Sequence, residues 1–171
     1  MSDDWDFYRA RVDHEPASIM VDIGIRKSIP LKSHPTMGYL RTHMKNPRPD
    51  GLSSQEEFDI LCRIGDSIDS LMNVSDGKHL YVGRNTSSNT RDFYFYTSDV
   101  ENLNICLNSI KQKFPNYEFE QGDRQDADWS TYVDFLYPTP IQHQHMMDRR
   151  VCEQLEANGD DLSIERDIDH R

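Results

Sequence analysis

The sequence lacks paired cysteines, a long apolar run and any excess of positive charge, and each absence removes a class of function. Its three cysteines, Cys62, Cys106 and Cys152, are far apart and odd in number, with no CxxC spacing. That excludes a disulfide framework or a zinc knuckle and leaves reduced thiols beside helical seams. No apolar stretch approaches membrane-spanning length, and the acidic opening "MSDDWDFYRA" is no signal peptide. The expectation is a cytoplasmic protein in a reducing compartment, with no membrane partner. Formal net charge is −11 with a pI near 4.9. The basic residues are scattered among acids, which argues against nucleic acid and favours a basic partner.

What is present suits a small aromatic-rich core under a charged surface. The 171 residues fit one domain with short additions. Only 36% are hydrophobic and mean hydropathy is −0.80, yet aromatics reach 10%.

Strand signals open the chain. "WDFYRARV" and "SIMVDIGI" flank the turn-rich "DHEP" and predict a hairpin, with Ile19, Val21, Ile23 and Ile25 sharing one face. "MGYLRTHM" predicts another strand. Ser53-Ser54-Gln55-Glu56 reads as a capping box, followed by Phe58, Leu61, Cys62, Gly65, Ile68 and Met72 at helical spacing. Ser98-Asp99-Val100-Glu101 reads as a second box, followed by Val100, Leu103, Leu107, Ile110 and Phe114, with Pro115 as the stop. "HLYVGRNT" and "RDFYFYTS" lie between these helices, and "YEFEQGD" follows them. From Met37 the order is strand–helix–strand–strand–helix–strand, a ferredoxin-like α+β antiparallel sheet extended by the N-terminal hairpin. "DWSTYVDFLYPTP" reads as an irregular aromatic segment. Thr139-Pro140 then starts a C-terminal helix that stops at Asn158-Gly159. The expected division is a domain over 1–138, a helix over 139–158 and a charged tail over 159–171.

"TRDFYFYTSD" decides whether this sheet stacks bases. A basic residue before alternating aromatics approaches the signature of RNA-recognition strands. The phase is wrong for it: Tyr94 occupies the small helix-facing position, and Asp92 stands where glycine is required. Turning Phe93 and Phe95 inward matches Leu80, Val82, Tyr117, Phe119 and the Ile19–Ile25 row. The opposite face then carries Tyr39, Arg41, His43, Tyr81, Tyr94, Tyr96, Glu118 and Glu120. Tyrosines among charges make protein-contact surface. The alternative is that "STYVDFLY" and its helix cover this face and make the tyrosines structural. The contact candidates are Tyr39, Tyr81, Tyr94, Tyr96, Glu118 and Glu120, with Asp126 and Asp128 of the acidic loop.

Other motifs fail on geometry. His143 and His145 are two apart, so on a helix they diverge and cannot chelate one metal. Asp123, Asp126 and Asp128 echo a calcium loop, but Thr131 and Tyr137 replace its glycine and glutamate. "VGRNTSSNT" lacks the ending of a phosphate loop. Arg84, Asn85 and Arg91 form a potential anion cradle, although arginines beside turns usually meet carboxylates. No cofactor or metal is expected.

Several stretches, "WDFYRA…PASIMVDIGI", "NPRPDGLSSQEEF", "YVGRNTS…RDFYFYTSD", "FPNYEFE" and "DWSTYVDFLYP", together resemble a bacterial family known as domain of unknown function 695. The resemblance spans Trp5 to Pro138. In such relatives a second domain often follows, similar to the regulator of ribonuclease E activity B. "ERDIDHR" matches its opening at Arg166, Ile168, Asp169 and His170, and the sequence ends at Arg171, so that domain is expected to be absent. The resemblance implies a cytosolic bacterial protein and supplies no catalytic residue. The leading expectation is a non-catalytic regulator contacting a basic protein, such as a nuclease inhibitor or toxin immunity protein. The rivals are an enzyme whose site is assembled from distant residues, and a single-stranded RNA-binding sheet.

Overall fold

The computed structural model describes residues 2–159. The tail expected beyond that point, with its match at Arg166 to His170, lies outside the described residues.

Local signals set the elements. A hairpin pairs β1 (Trp5–Val12) with β2 (Glu15–Asp22). Its turn is narrower than the expected tetrapeptide: Asp13 and His14 take φ of 51° and 69°, while Glu15 and Pro16 already belong to β2. That left-handed pair matches the twist of the flanking strands. Ile23 and Ile25 leave the strand, because the chain turns into a short 3-10 helix at Gly24–Lys27.

After β3 (Thr36–His43), helix α1 runs over Phe58–Val74. It starts later than the capping-box reading placed it. The Ser54 hydroxyl accepts from the Glu57 backbone at 3.3 Å, and Phe58 is 55% exposed. Glu57 itself turns inward, accepting from Lys45 N at 3.0 Å, from Tyr117 Oη at 2.6 Å and from Asn46 N. Burial opposes charge on this carboxyl, but those donors outweigh it and hold its pKa below the ordinary value. β4 (His79–Ser87) and β5 (Thr90–Thr97) form the central hairpin. Helix α2 (Val100–Lys113) is capped by Asp99, whose carboxylate accepts from Asn102 N at 3.0 Å. β6 (Phe119–Gln125) is the last strand.

The six strands form one antiparallel sheet in the order β1-β2-β4-β5-β3-β6. β4-β5-β3-β6 is the ferredoxin-like core, and the N-terminal hairpin extends it through β2 on β4. The chain is therefore α+β, with a βαββαβ core as the element order implied.

One face carries both helices. Phe93 and Phe95 are fully buried there with Leu40, Leu61, Ile64, Ile68, Leu103 and Leu107. Each such side chain contributes about 1.5–3 kcal/mol by leaving water. Close approach is required at Gly38, where a Cβ would stand 2.6 Å from Leu103 Cδ2 of α2.

The opposite face differs from expectation in three places. First, β4 bulges between Tyr81 and Gly83, so Leu80 opposes Tyr96 while Tyr81 opposes Phe95. The extra residue reverses the alternation, and Tyr81 joins the helix-side core between Trp5 and Phe93. Second, Ile19 pairs with Asn85 and Val21 with Gly83, which places that row opposite the helices rather than beneath them. Third, the segment after β6 forms a π-helical turn at Thr131–Leu136. It makes a second, aromatic layer over Ile19 and Val21. The Tyr8 hydroxyl donates to Leu136 O at 2.6 Å, Tyr132 donates to Asp22 O at 2.6 Å, and Leu136 packs on Gly83.

The chain divides into two units at Tyr137 and Pro138. The second unit holds helix α3 (Pro140–Ala157), which starts at the capping box of Thr139 with Gln142 and has Pro140 in its first turn. Among the described residues no helix is long and apolar enough to cross a membrane.

Candidate tyrosine-lined cleft

The second layer covers only part of the sheet. Beside it, over β6, β3 and β5, a cleft of about 650 Å³ remains open. Register explains its lining, because residues directly opposite one another share a face. Arg41 stands between Asp92 and Glu120, and Tyr39 between Tyr94 and Gly122.

Tyr39 lies across β6 at its glycine. A Cβ on Gly122 would meet the Tyr39 ring at 2.7 Å, so the missing side chain makes room for the ring. Tyr94 forms the facing wall and meets Phe135 edge-on, with centroids 5.8 Å apart. Both tyrosines are half-buried. Burial, then the Asp92 charge, pushes the Tyr94 hydroxyl above its ordinary pKa, so it serves as a neutral hydrogen-bonding group.

The charges are arranged unevenly. Arg41 grips Asp92 in a two-point pair, Nε and Nη2 each 2.9 Å from a carboxylate oxygen. That hydrogen bonding raises the Arg41 pKa and leaves its charge largely neutralised. His43 meets Glu120 at 2.6 Å on the rim. Arg124 donates to Thr131 Oγ1 at 2.5 Å, and Asp134 is exposed on the cleft wall.

The eight expected contact residues separate into two groups. Tyr39 and Tyr94 line the cleft, Glu120 stands on its rim, and Glu118 is exposed just before β6. Asp128 is exposed in the turn ahead of Trp129. Tyr81 lies on the other side of the sheet, and Tyr96 is fully buried beneath Trp129, so neither offers contact surface. Asp126 is also buried, at 7% exposure. Its carboxylate accepts from Tyr96 Oη, Ser130 Oγ, Ser130 N and Thr131 N at 2.6–3.0 Å. Burial alone would raise its pKa, yet those four donors overcome it and bring it down to about 2. Asp126 is thus the clasp of the covering segment. "STYVDFLY" covers the sheet over Tyr96 and reaches Tyr94 through Phe135, so the covering reading holds there, while Tyr39 and Tyr94 stay half-exposed at the cleft.

Arg124, Asp134 and Phe135 were not legible as site residues, since a turn of unknown path carries two of them. Gly122, a glycine inside the alternating "YEFEQGD", is a signal from which the close approach at Tyr39 could have been read.

The model of a family of unknown function, DUF695, matches residues 3–137. The chain belongs to the DUF695 family. The match ends where the first unit ends, so the sheet, the covering segment and the cleft are all parts of the DUF695 region. No curated protein and no solved structure matches the chain.

Proposed function

We propose that this DUF695 chain is a non-catalytic binding protein whose tyrosine-lined cleft receives a basic segment of a partner protein. The observation that carries the reading is the combination of half-exposed Tyr39 and Tyr94, packed on Gly122 and Phe135, with exposed carboxylates beside them. Asp134 is exposed on the cleft wall and Glu120 beside Arg41, Arg41 itself is engaged by Asp92, and the other lining cation, Arg124, donates to Thr131 Oγ1. Tyrosine faces attract cations, and carboxylates at a rim steer them. The −11 net charge adds long-range attraction for a basic partner. A nuclease's substrate groove is one surface of that kind.

The test is selection from a random peptide library displayed on phage, at low salt. Lys- and Arg-rich sequences should be enriched. Their affinity should fall about tenfold or more on Tyr39→Ala or Tyr94→Ala, and again as salt is raised. Enrichment of peptides without basic residues, or binding indifferent to both tyrosines, refutes the proposal.

A further inference from the structure

A second cavity, of about 530 Å³, opens on the helix-facing side of the sheet. It lies within the volume range of small-molecule sites. Trp5, Met20 and Tyr81 form an aromatic and apolar wall, and Gly65 of α1 also lines the cavity, where an added Cβ would stand 4.0 Å from Arg84 Nη1.

Two arginines face this side of the sheet. Arg84 lines the cavity. Arg91 stands behind it on β5, since Arg84 pairs with Phe93 and Thr86 with Arg91, making the arginines diagonal neighbours. Arg91 is only 9% exposed. Its Nε donates to Thr86 Oγ1 at 2.9 Å and its Nη2 to Ser53 Oγ at 3.4 Å. Among the described residues, no carboxylate comes within 4.0 Å of either guanidinium. Burial, and then the Arg84 charge, lowers the Arg91 pKa to about 10. Buried guanidinium charge without a carboxylate is costly unless an anion completes it.

Negative charge lines the same cavity, in Asp3, Asp66 and Asp69. Asp66 and Asp69, three residues apart on α1, are neighbours on one helix face. Burial and the Asp66 charge push the Asp69 carboxyl up, with Arg84 pulling it down. Neither aspartate has an ion pair among the described residues. A simple anion would be repelled by the aspartates, and a simple cation by the arginines. A ligand carrying both charges satisfies both ends.

We propose that this cavity binds a small zwitterion of the free amino-acid class. Its carboxylate lies on Arg84, backed by Arg91, and its ammonium lies by Asp66 and Asp69. Its side chain packs on Trp5, Met20 and Tyr81.

The test screens the standard free L-amino acids against the full chain by thermal shift, with calorimetry for those that raise the melting temperature. At least one should bind with a dissociation constant below about 1 mM. Its N-acetyl and carboxamide analogues should each bind about tenfold more weakly or worse. Arg84→Gln and Asp69→Asn should cause similar losses while unfolding remains cooperative. Iodoacetamide labelling of Cys62, which lines the cavity, should slow with ligand, and labelling of Cys106 should not. Tyr39→Ala, in the other cleft, should leave this binding unchanged, so failure here is separable from failure of the peptide-binding reading. The inference is overturned if no amino acid binds at 10 mM (about tenfold above that limit), if the blocked analogues bind equally well, or if both variants retain full affinity.

Discussion

The rings of Tyr96 and Trp129 lie face to face, centroids 3.8 Å apart and planes 5° from parallel. Trp129 reaches this position from a backbone φ of 57°, a conformation costly for a bulky side chain. Its indole Nε1 donates to His34 O at 3.0 Å, and its ring is fully buried. The stack and that hydrogen bond outweigh the backbone cost and hold the covering segment onto the sheet.

Trp129→Ala should therefore cost about 3–5 kcal/mol, as large aromatic truncations in cores do. Tyr96→Phe keeps the stack but removes the hydroxyl that donates to Asp126 and accepts from Tyr132 N. Its cost should be about 1–3 kcal/mol. Urea unfolding measures both. A Trp129→Ala loss below about 1 kcal/mol would mean that the segment is not part of the cooperative core.

The pH dependence of stability should show two windows. Asp126 titrates at about 2 in the folded chain and near 3.9 when unfolded. The unfolded state therefore binds more protons, and this contribution is present above about pH 4 and lost as pH falls toward about 2. Asp126→Asn should be less stable at neutral pH and show a shallower acid decline. His79 is buried, with Nδ1 2.7 Å from Thr97 Oγ1 and Nε2 2.8 Å from Asn102 Oδ1. Burial lowers its pKa. It stays neutral when folded, so its contribution is lost as pH falls below about 6.5, the unfolded value. His79→Gln should flatten the stability curve from that point down to the lowered folded value. A curve unchanged by the substitution contradicts the assignment.

Gly122→Ala should separate binding from folding. The added methyl stands where the Tyr39 ring lies, so the ring must swing out of its place. Unfolding free energy should change by about 1 kcal/mol or less, because the site is near the surface of an edge strand. Affinity for the selected basic peptides should fall about as far as in Tyr39→Ala. Retained affinity in Gly122→Ala would show that the ring's position is unimportant.

The Arg41–Asp92 pair should behave as a coupled unit. Asp92 has a side chain only 6% exposed, and besides Arg41 it accepts a long hydrogen bond, 3.5 Å, from the Tyr94 hydroxyl. Arg41→Met strands that buried carboxylate and should cost about 1.5–3 kcal/mol. Adding Asp92→Asn should recover part of the loss, since the double variant has no uncompensated charge. A double-mutant cycle from chemical denaturation measures the coupling, and strict additivity would rule it out.

Much of the fold was legible because its signals are local. Alternation marked the strands around Phe93 and Phe119, helical spacing marked Leu61 to Met72 and Leu103 to Ile110, and Asp13-His14 lay inside the expected turn. The two phenylalanines face the helices because no other phase buries them beside Leu40 and Leu107. Candidate sites were less legible. Tyr39, Tyr94 and Glu120 could be placed on one face by counting. Tyr81 could not, since the bulge between it and Gly83 reverses its direction, and a strand glycine signals a bulge without fixing which residue is the extra one.

Patterning along the chain determined the element order, the strand and helix types and the inward turn of Phe93 and Phe95. Those properties follow from periods of two and 3.6 within a few neighbouring residues. Only the tertiary structure decided that residues 129–136 would lie over Tyr96 and stop short of Tyr39. It also brought Arg84 and Arg91 together beneath α1 with no carboxylate within 4.0 Å among the described residues. These are contacts between residues far apart in the chain, and the packing of two sheet faces sets them, which no local period encodes.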